Sequence, residues 1–208
     1  GHCMKTLLLI GGGGHCRSCI DVIELSQHYA IAGIVAREAE PGSTVLSYPI
    51  LGNDDDLPHL VKEYPAALIT IGQIKSAESR IRLFDRLKSL GAELPSVVSS
   101  RAHVSRHALL AEGTVVMHGA IINASACVGE NCIINSQALI EHDSVVEAHC
   151  HISTGAKLNG NVHVERGCFI GSGSIVREGV RIGFRSLIPA GSVVLSDVEA
   201  GTIYRGRE

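Results

Sequence analysis

The sequence predicts a small α/β domain followed by a long triangular coil of parallel strands, and three observations carry that prediction. Starting at Val104 and stepping by six, sixteen consecutive positions as far as Val194 are Val, Ile or Leu, without insertion or miss. The positions two residues earlier, Ala102 through Ser192, are small, Val162 and Val180 being the largest. The preceding ninety or so residues instead alternate short apolar runs with amphipathic segments. A helix repeats near 3.6 residues and a strand near 2, so a strict period of six needs another architecture.

In chain order, Lys5–Ile10 reads as a strand that runs into Gly11-Gly12-Gly13-Gly14-His15-Cys16. An amphipathic helix is expected over about 18–29, with Ile20, Val22 and Ile23 on its apolar side. Ile31–Val35 and Tyr48–Leu51 read as further strands. Asn53 caps a helix whose first turn holds Asp54, Asp55 and Asp56, which suits the helix dipole. Ala67–Ile71 is a strand ending at Gly72, and Ser76 opens a helix carrying Ile81, Phe84 and Leu87 and closed by Gly91. Alternating strands and helices imply a parallel sheet. Glu93-Leu94-Pro95 is the expected joint, giving domains 4–95 and 96–208.

In the second domain each six-residue unit makes one short strand and one corner, and three units close a turn. The branched residue fills the interior, and the small residue two places back lets the chain round the corner. Sixteen units give about five turns, enough for each coil to bury its apolar face against its neighbours. Eighteen residues separate stacked positions, so Cys132, Cys150 and Cys168 are rungs of one interior ladder rather than a metal site.

Composition narrows the classes. Hydrophobic residues make up 45%, yet aromatics only 3% with no Trp, as a narrow prism filled by Val, Ile and Ala requires. A net charge of −3 without a basic run argues against a nucleic-acid surface. No apolar run approaches the ~18 residues of a membrane span, and Thr6–Ile10 is too short for a signal-peptide core. Gly1-His2-Cys3 ahead of Met4 looks like a cloning remnant. Seven cysteines in this arrangement do not read as a secreted disulfide framework, so a reduced cytoplasmic protein is expected.

The chemistry-bearing residues lie in two places. The glycine cluster sits where a strand feeds a helix, so its backbone N–H groups can face an anion. It matches the dinucleotide fingerprint only in part, with Cys16 at the third glycine position and no acid in Val35-Ala36-Arg37-Glu38. A nucleotide or nucleotide-sugar phosphate suits it better than a full dinucleotide; a tight turn without ligand is the alternative. Cys16-Arg17-Ser18-Cys19 has redox spacing, but nothing nearby supports thiol chemistry. In the coil, Glu141, His142 and Asp143 fall on a corner, where side chains point outward. An imidazole suits proton abstraction at neutral pH, and Asp143 can fix its tautomer. His107, His118 and His149 read as further outward histidines. His151 stands on an outer face with Val115, Ile133, Phe169 and Leu187, and a second face stacks Ile121, Leu139, Lys157, Ile175 and Val193. Two apolar outer faces imply a cover, which trimer packing supplies, with His151 lining a cleft between subunits.

The glycine-rich domain and the repeat together resemble the hexapeptide-repeat sugar acetyltransferases of bacterial glycan synthesis, above all the bacillosamine-type N-acetyltransferases, with the sialic acid O-acetyltransferases as near relatives. The marks are Gly-Gly-Gly-Gly-His at 11–15, Ile71-Gly72, Ile134-Asn135, Ile140-Glu141-His142-Asp143 and His151-Ile152-Ser153-Thr154-Gly155-Ala156. The resemblance implies a Rossmann-like α/β domain followed by a left-handed parallel β-helix, acetyl-CoA as co-substrate, no metal, and a homotrimer with active sites between subunits. It implies His142 as general base and Asp143 as the acid behind it. His151, Ser172 and Ala190 would contact acetyl-CoA, while Gly13, Gly14, His15, Arg37 and Gly72 would meet the nucleotide-sugar. Bacillosamine-type members carry acids after the second strand where this chain has Ala36 and Arg37, which leaves base and sugar open. The family's usual Asn-Pro-Ala-Lys ending is missing, and Arg205 and Arg207 are candidates to reach a CoA phosphate. The implied reaction is N-acetylation of a nucleotide-linked 4-amino-4,6-dideoxy sugar by direct attack. O-acetylation of a sialic-acid-like sugar and a zinc site of carbonic-anhydrase type at His142, His149 and His151 are the alternatives.

Overall fold

The computed structural model describes residues 4–37, 40 and 42–206. Gly1-His2-Cys3, Glu38 and Arg207, all named above, lie outside the described residues.

Five strands make the first sheet: β1 (Lys5–Ile10), β2 (Tyr29–Val35), β3 (Thr44–Val45), β4 (Tyr48–Gly52) and β5 (Ala66–Ile69). Their order is β3-β4-β2-β1-β5, parallel except for the short β3–β4 hairpin. The helices are α1 (Gly14–Ser26), α2 (Leu57–Glu63) and α3 (Glu78–Ser89). Helix α1 begins four residues earlier than its apolar pattern suggests, directly on the glycine turn, and ends before Tyr29, which opens β2. Asn53 closes a capping box with Asp56 around a single 3₁₀ turn that leads into α2. Strand β5 stops at Ile69, two residues short of expectation, and beyond it the carbonyl of Ile71 accepts from the Arg80 side chain.

A short strand, β6 (Val97–Val98), starts the coil one unit before the first counted repeat. Sixteen two-residue strands follow every sixth residue, from His103–Val104 to Val193–Val194. Together with β6 they stack in three parallel sheets of six, five and six strands, each strand pairing with the one eighteen residues away. The product is a left-handed parallel β-helix. Corner residues from Gly113 to Gly191 take positive φ at every sixth position, whether glycine or not, Asp143 (61°) and His149 (61°) among them. The stacked branched residues form one continuous core from Val116 to Val198. The thiols of Cys132, Cys150 and Cys168 are buried rungs, each donating to a main-chain carbonyl of the next coil.

The cover over the first prism face overturns one expectation. That face carries Val97, Val115, Ile133 and His151, and the chain's own α/β layer lies on it, not a second subunit. Val115 and Ile133 share one apolar cluster with Leu7, Ile20 and Ile23. The joint at Glu93–Pro95 is packed tightly: Glu93 bridges to Ala66 and Leu94 is buried. His118, expected to be free at the surface, ties α1 to the coil. It receives the Ser99 hydroxyl at Nδ1 and donates from Nε2 to Asp21, both at 2.6 Å. The second face stays open, with Ile121, Ile175 and Val193 each 40–51% exposed.

Candidate functional site

Strand β1 delivers the chain to Gly11, whose φ of +122° and close approach to Ile71 admit no side chain. Gly13 then caps α1 without any side-chain acceptor, and the first turn has no acid. A Cβ at Gly13 or Gly14 would meet nothing within 4 Å, so the chain at the start of α1 is uncovered. The glycine turn borders a cavity of about 730 Å³ lined by Gly11–Gly13, Arg37, Asp54, Arg82 and Arg86 among others. Arg37 stands at the rim in an ion pair with Asp54 at 3.1 Å. Three arginines against one carboxylate, beside the uncapped start of α1, give the cavity a surplus of positive charge that suits an anion. Arg82 and Arg86 were not found by motif reading. Their one signal is a basic pair one helical turn apart on the polar face of α3.

Behind the glycine turn, His15 and Gly72 are neighbours: a Cβ on Gly72 would stand 3.8 Å from that of His15. Burial, then the charge of Arg80, hold the His15 imidazole well below its ordinary range, at about 3. Cys16 and Cys19 are both buried, and burial raises the Cys19 thiol to about 12, which removes it from thiolate chemistry.

His151 is 7% exposed beneath the α/β layer. Its Nδ1–H donates to the Gln73 carbonyl at 2.5 Å, so its Nε2 is an acceptor, filled here by the Asn135 amide at 3.0 Å. Burial lowers its pKa to about 4, so it is neutral at physiological pH. His149, expected at an outward corner, is buried beside Asn131 and edge-on to Phe84. Among the described residues no three His, Cys, Asp or Glu side chains cluster in a way that could hold a metal ion.

His142 and Asp143 lie on the prism edge between the second and third faces. The Nδ1–H of His142 donates to Asp143 Oδ2 at 2.8 Å, which directs Nε2 outward as the free nitrogen. That nitrogen looks into a shallow pocket formed with Glu141, Asn159, Gly160 and Asn161. Gly160 is glycine for a reason: an added Cβ would stand 2.6 Å from Nε2. Ser172 and Ala190 are exposed on a different edge, between the first and second faces, where Ser172 Oγ meets Ser153 at 3.0 Å and Thr154 at 2.8 Å.

One chain thus groups Gly13, Gly14, His15, Gly72 and His151 around the glycine turn, with Arg37 across the cavity. Ser172 and Ala190 follow on the adjacent edge. His142 and Asp143 stand apart, on the edge opposite the face that the α/β layer covers.

Comparisons with known proteins follow this division. Residues 6–87 match the PglD N-terminal domain family. No curated protein sequence matches the chain. Among solved structures, PerB from Caulobacter crescentus in complex with CoA and GDP-perosamine is 32% identical, over 96% of this chain and 93% of that one, with a TM-score of 0.87. The acetyltransferase domain of PglB from Neisseria gonorrhoeae in complex with acetyl coenzyme A is 27% identical over 95% and 94%, also at 0.87. WeeI from Acinetobacter baumannii, 20% identical over 95% of each chain at 0.82, shares the fold.

Proposed function

The chain belongs to the bacterial sugar N-acetyltransferases of the hexapeptide-repeat type, and from that premise we propose that it acetylates the 4-amino group of a nucleotide-linked 4,6-dideoxy sugar, with acetyl-CoA as donor. The observation that carries the reading is the pairing of an uncapped helix terminus in an arginine-lined cavity with an exposed His–Asp pair whose Nε2 is free. The first suits a sugar nucleotide's phosphates; the second suits removal of a proton from an amine. The complex of the Caulobacter relative with GDP-perosamine supports a 4-amino sugar on a nucleoside diphosphate.

In this reading residues 4–95 hold the nucleotide-sugar and 96–208 carry out transfer. The amine attacks the thioester carbonyl directly. His142 Nε2 takes the amine proton as the C–N bond forms, and Asp143 stabilises the imidazolium through Nδ1–H. Collapse of the tetrahedral intermediate breaks the C–S bond, and the proton passes to the departing CoA sulfur. General-base help of this kind contributes ~10²–10⁴-fold, and holding both reactants in one cleft contributes more. His151, Ser172 and Ala190 line the path of acetyl-CoA; Gly13, Gly14, His15, Arg37 and Gly72 meet the nucleotide-sugar.

His142 lies across the prism from its own glycine cavity, so a complete site takes its base from a neighbouring copy. The open second face, with Ile121, Ile175 and Val193, suits that contact. A homotrimer with three shared sites satisfies both needs. Acetyl-CoA supply and buried free thiols fit the cytoplasm.

The test is thiol release from acetyl-CoA against UDP-, GDP- and dTDP-linked 4-amino sugars beside free and CMP-linked sialic acid. Release with one amino sugar, lost in His142→Ala while acetyl-CoA still binds, is the expected result. Release with sialic acid alone, or parental turnover in His142→Ala, refutes the proposal.

A further inference from the structure

Arg80 is the largest fully buried side chain of the protein, 1% exposed, and among the described residues no carboxylate pairs with it. Burial lowers its pKa only to about 10, so it remains a cation at neutral pH. A buried charge without a counterion costs stability, and apolar replacements of such groups are often neutral or stabilising. Its retention therefore calls for a reason other than stability.

The contacts supply one. Nη1 donates to the Ile71 carbonyl at 2.6 Å, and Nη2 donates to Asn131 Oδ1 at 2.8 Å. The Asn131 amide returns a bond to the Arg80 carbonyl at 3.1 Å and donates to His149 Nδ1 at 2.9 Å. Two residues beyond Ile71, Gln73 donates to the His149 carbonyl and receives His151 Nδ1–H on its own carbonyl. The turn between, at Gly72, lies against His15. The guanidinium thus joins the loop that follows β5 to a corner of the coil, and the loop in turn touches the side chains of His15 in the first domain and His151 in the coil, besides the His149 carbonyl.

We propose that Arg80 is a positioning residue for acetyl transfer: its guanidinium pins the Ile71-Gly72-Gln73 turn to Asn131 of the coil and so holds His15 and His151 in fixed relation across the site. The proposal rests on the acetyltransferase reading for its consequence, not for its geometry. With Nδ1 committed to Gln73, His151 Nε2 is an acceptor only; the Asn135 amide holds it here, and an N–H of the incoming donor or amine would take that amide's place. The charge of Arg80 acts in the same direction, because it opposes protonation of His15, His149 and His151 together. The other titratable groups facing this cluster are Cys19 beside His15, Cys132 beside Arg80, and Arg166 and Asp85 beside His149.

The test uses the full chain carrying Arg80→Met or Arg80→Lys. Substrate-free protein is followed by amide exchange at Gly72 and Gln73 and by NMR titration of the histidine rings; acetyl transfer is followed by kcat and KM. In Arg80→Met, exchange at both amides is expected to quicken about tenfold or more, and both rings to titrate at higher pH. Its kcat/KM is expected to fall on the order of 100-fold, and the acidic limb of the pH–rate profile to move up. Arg80→Lys keeps the charge but loses the fork, so exchange quickens while the rings titrate near their parental values. A folded Arg80→Met with parental exchange, ring titration and kcat/KM overturns the proposal. Should that variant not fold, Asn131→Ala, which removes the coil-side anchor together with the amide's bonds to the Arg80 carbonyl and His149 and leaves the Arg80 guanidinium in place, decides by amide exchange at Gly72 and Gln73 and by kcat/KM. If no amino sugar is turned over, the acetyltransferase reading fails, while exchange and titration without substrate still decide the pinning.

Discussion

Gly160→Ala separates catalysis from stability at the candidate base. An ideal Cβ on Gly160 stands 2.6 Å from Nε2 and 2.7 Å from Cε1 of His142. Non-bonded carbon contacts become favourable near about 3.5 Å, so the ring must retreat by roughly 0.9 Å. It is free to do so, because the His142 side chain is exposed and its one anchor is the 2.8 Å bond to Asp143. The backbone of Gly160 does not have positive φ, so alanine fits its conformation and shortens the list of unfolded states, worth ~0.4–1 kcal/mol in favour of the fold. Displacement of a reacting group by about 1 Å costs on the order of 10²-fold in rate. The expected outcome is a kcat lower by about two orders of magnitude, with unchanged acetyl-CoA affinity and an equal or higher melting temperature. Steady-state thiol release, calorimetric titration with CoA and thermal unfolding measure the three quantities. A kcat within about threefold of the parent would refute the assignment of His142 Nε2 as the proton acceptor.

Gly13→Asp is expected to act in opposite directions on fold and function. A carboxylate at the N-cap of α1 stabilises the helix by a few tenths of a kcal/mol, yet faces the cavity where phosphates would lie, so KM for the nucleotide-sugar should rise about tenfold or more; an unchanged KM removes the anion site from the glycine turn. Acid stability follows from the buried imidazoles. In the folded chain burial holds His15 at about 3 and His149 and His151 at about 4, whereas unfolded histidine titrates near ~6.5. The unfolded chain therefore binds more protons between those values, so stability is complete above about pH 6.5, falls as pH drops through about 4, where the shares of His149 and His151 are spent, and levels off only below about 3, where that of His15 is spent. Urea unfolding between pH 7 and 5 is expected to report up to three protons taken up per chain, and a flat profile contradicts it. Finally, mixing His142→Ala chains with Gly13→Asp chains, followed by subunit exchange, should raise activity at low nucleotide-sugar above that of either variant alone; no gain after exchange argues against sites shared between copies. Ile175→Glu should weaken the assembly in sedimentation analysis.

The coil was almost wholly legible because its periodicity is a local property. A prism interior accepts branched residues at one position in six, and the corners demand small ones two places earlier, so Val104 through Val194 state their own architecture. The outward placement of His142 and Asp143 followed from the same count. What the count does not contain is anything about neighbours. His149 and Asp143 occupy equivalent corner positions, both with positive φ, yet one is buried and the other exposed. The difference is made by the α/β layer, which lies on the face between β6 and Leu187–Ile188. The same layer buries His151, which was expected to line a cleft between subunits. Arg80 gave no signal at all, being one of several basic residues in an amphipathic helix. Only its surroundings turn it into a buried cation with three carbonyl partners and an asparagine.

The sequence by itself determined the repeat, the three-sided coil, the strand–glycine–helix unit and the identity of the His–Asp corner, because each depends on residues within one or two units of chain. Tertiary structure alone decided which prism face the first domain covers. That docking, fixed by apolar contact of Leu7, Ile20 and Ile23 with Val115 and Ile133 and by the Arg80–Asn131 link, sets every long-range relation in the site. It places the arginine-lined cavity on one side of the prism and His142 on the other. Such a separation is a property of packing between distant segments, and no local pattern records it.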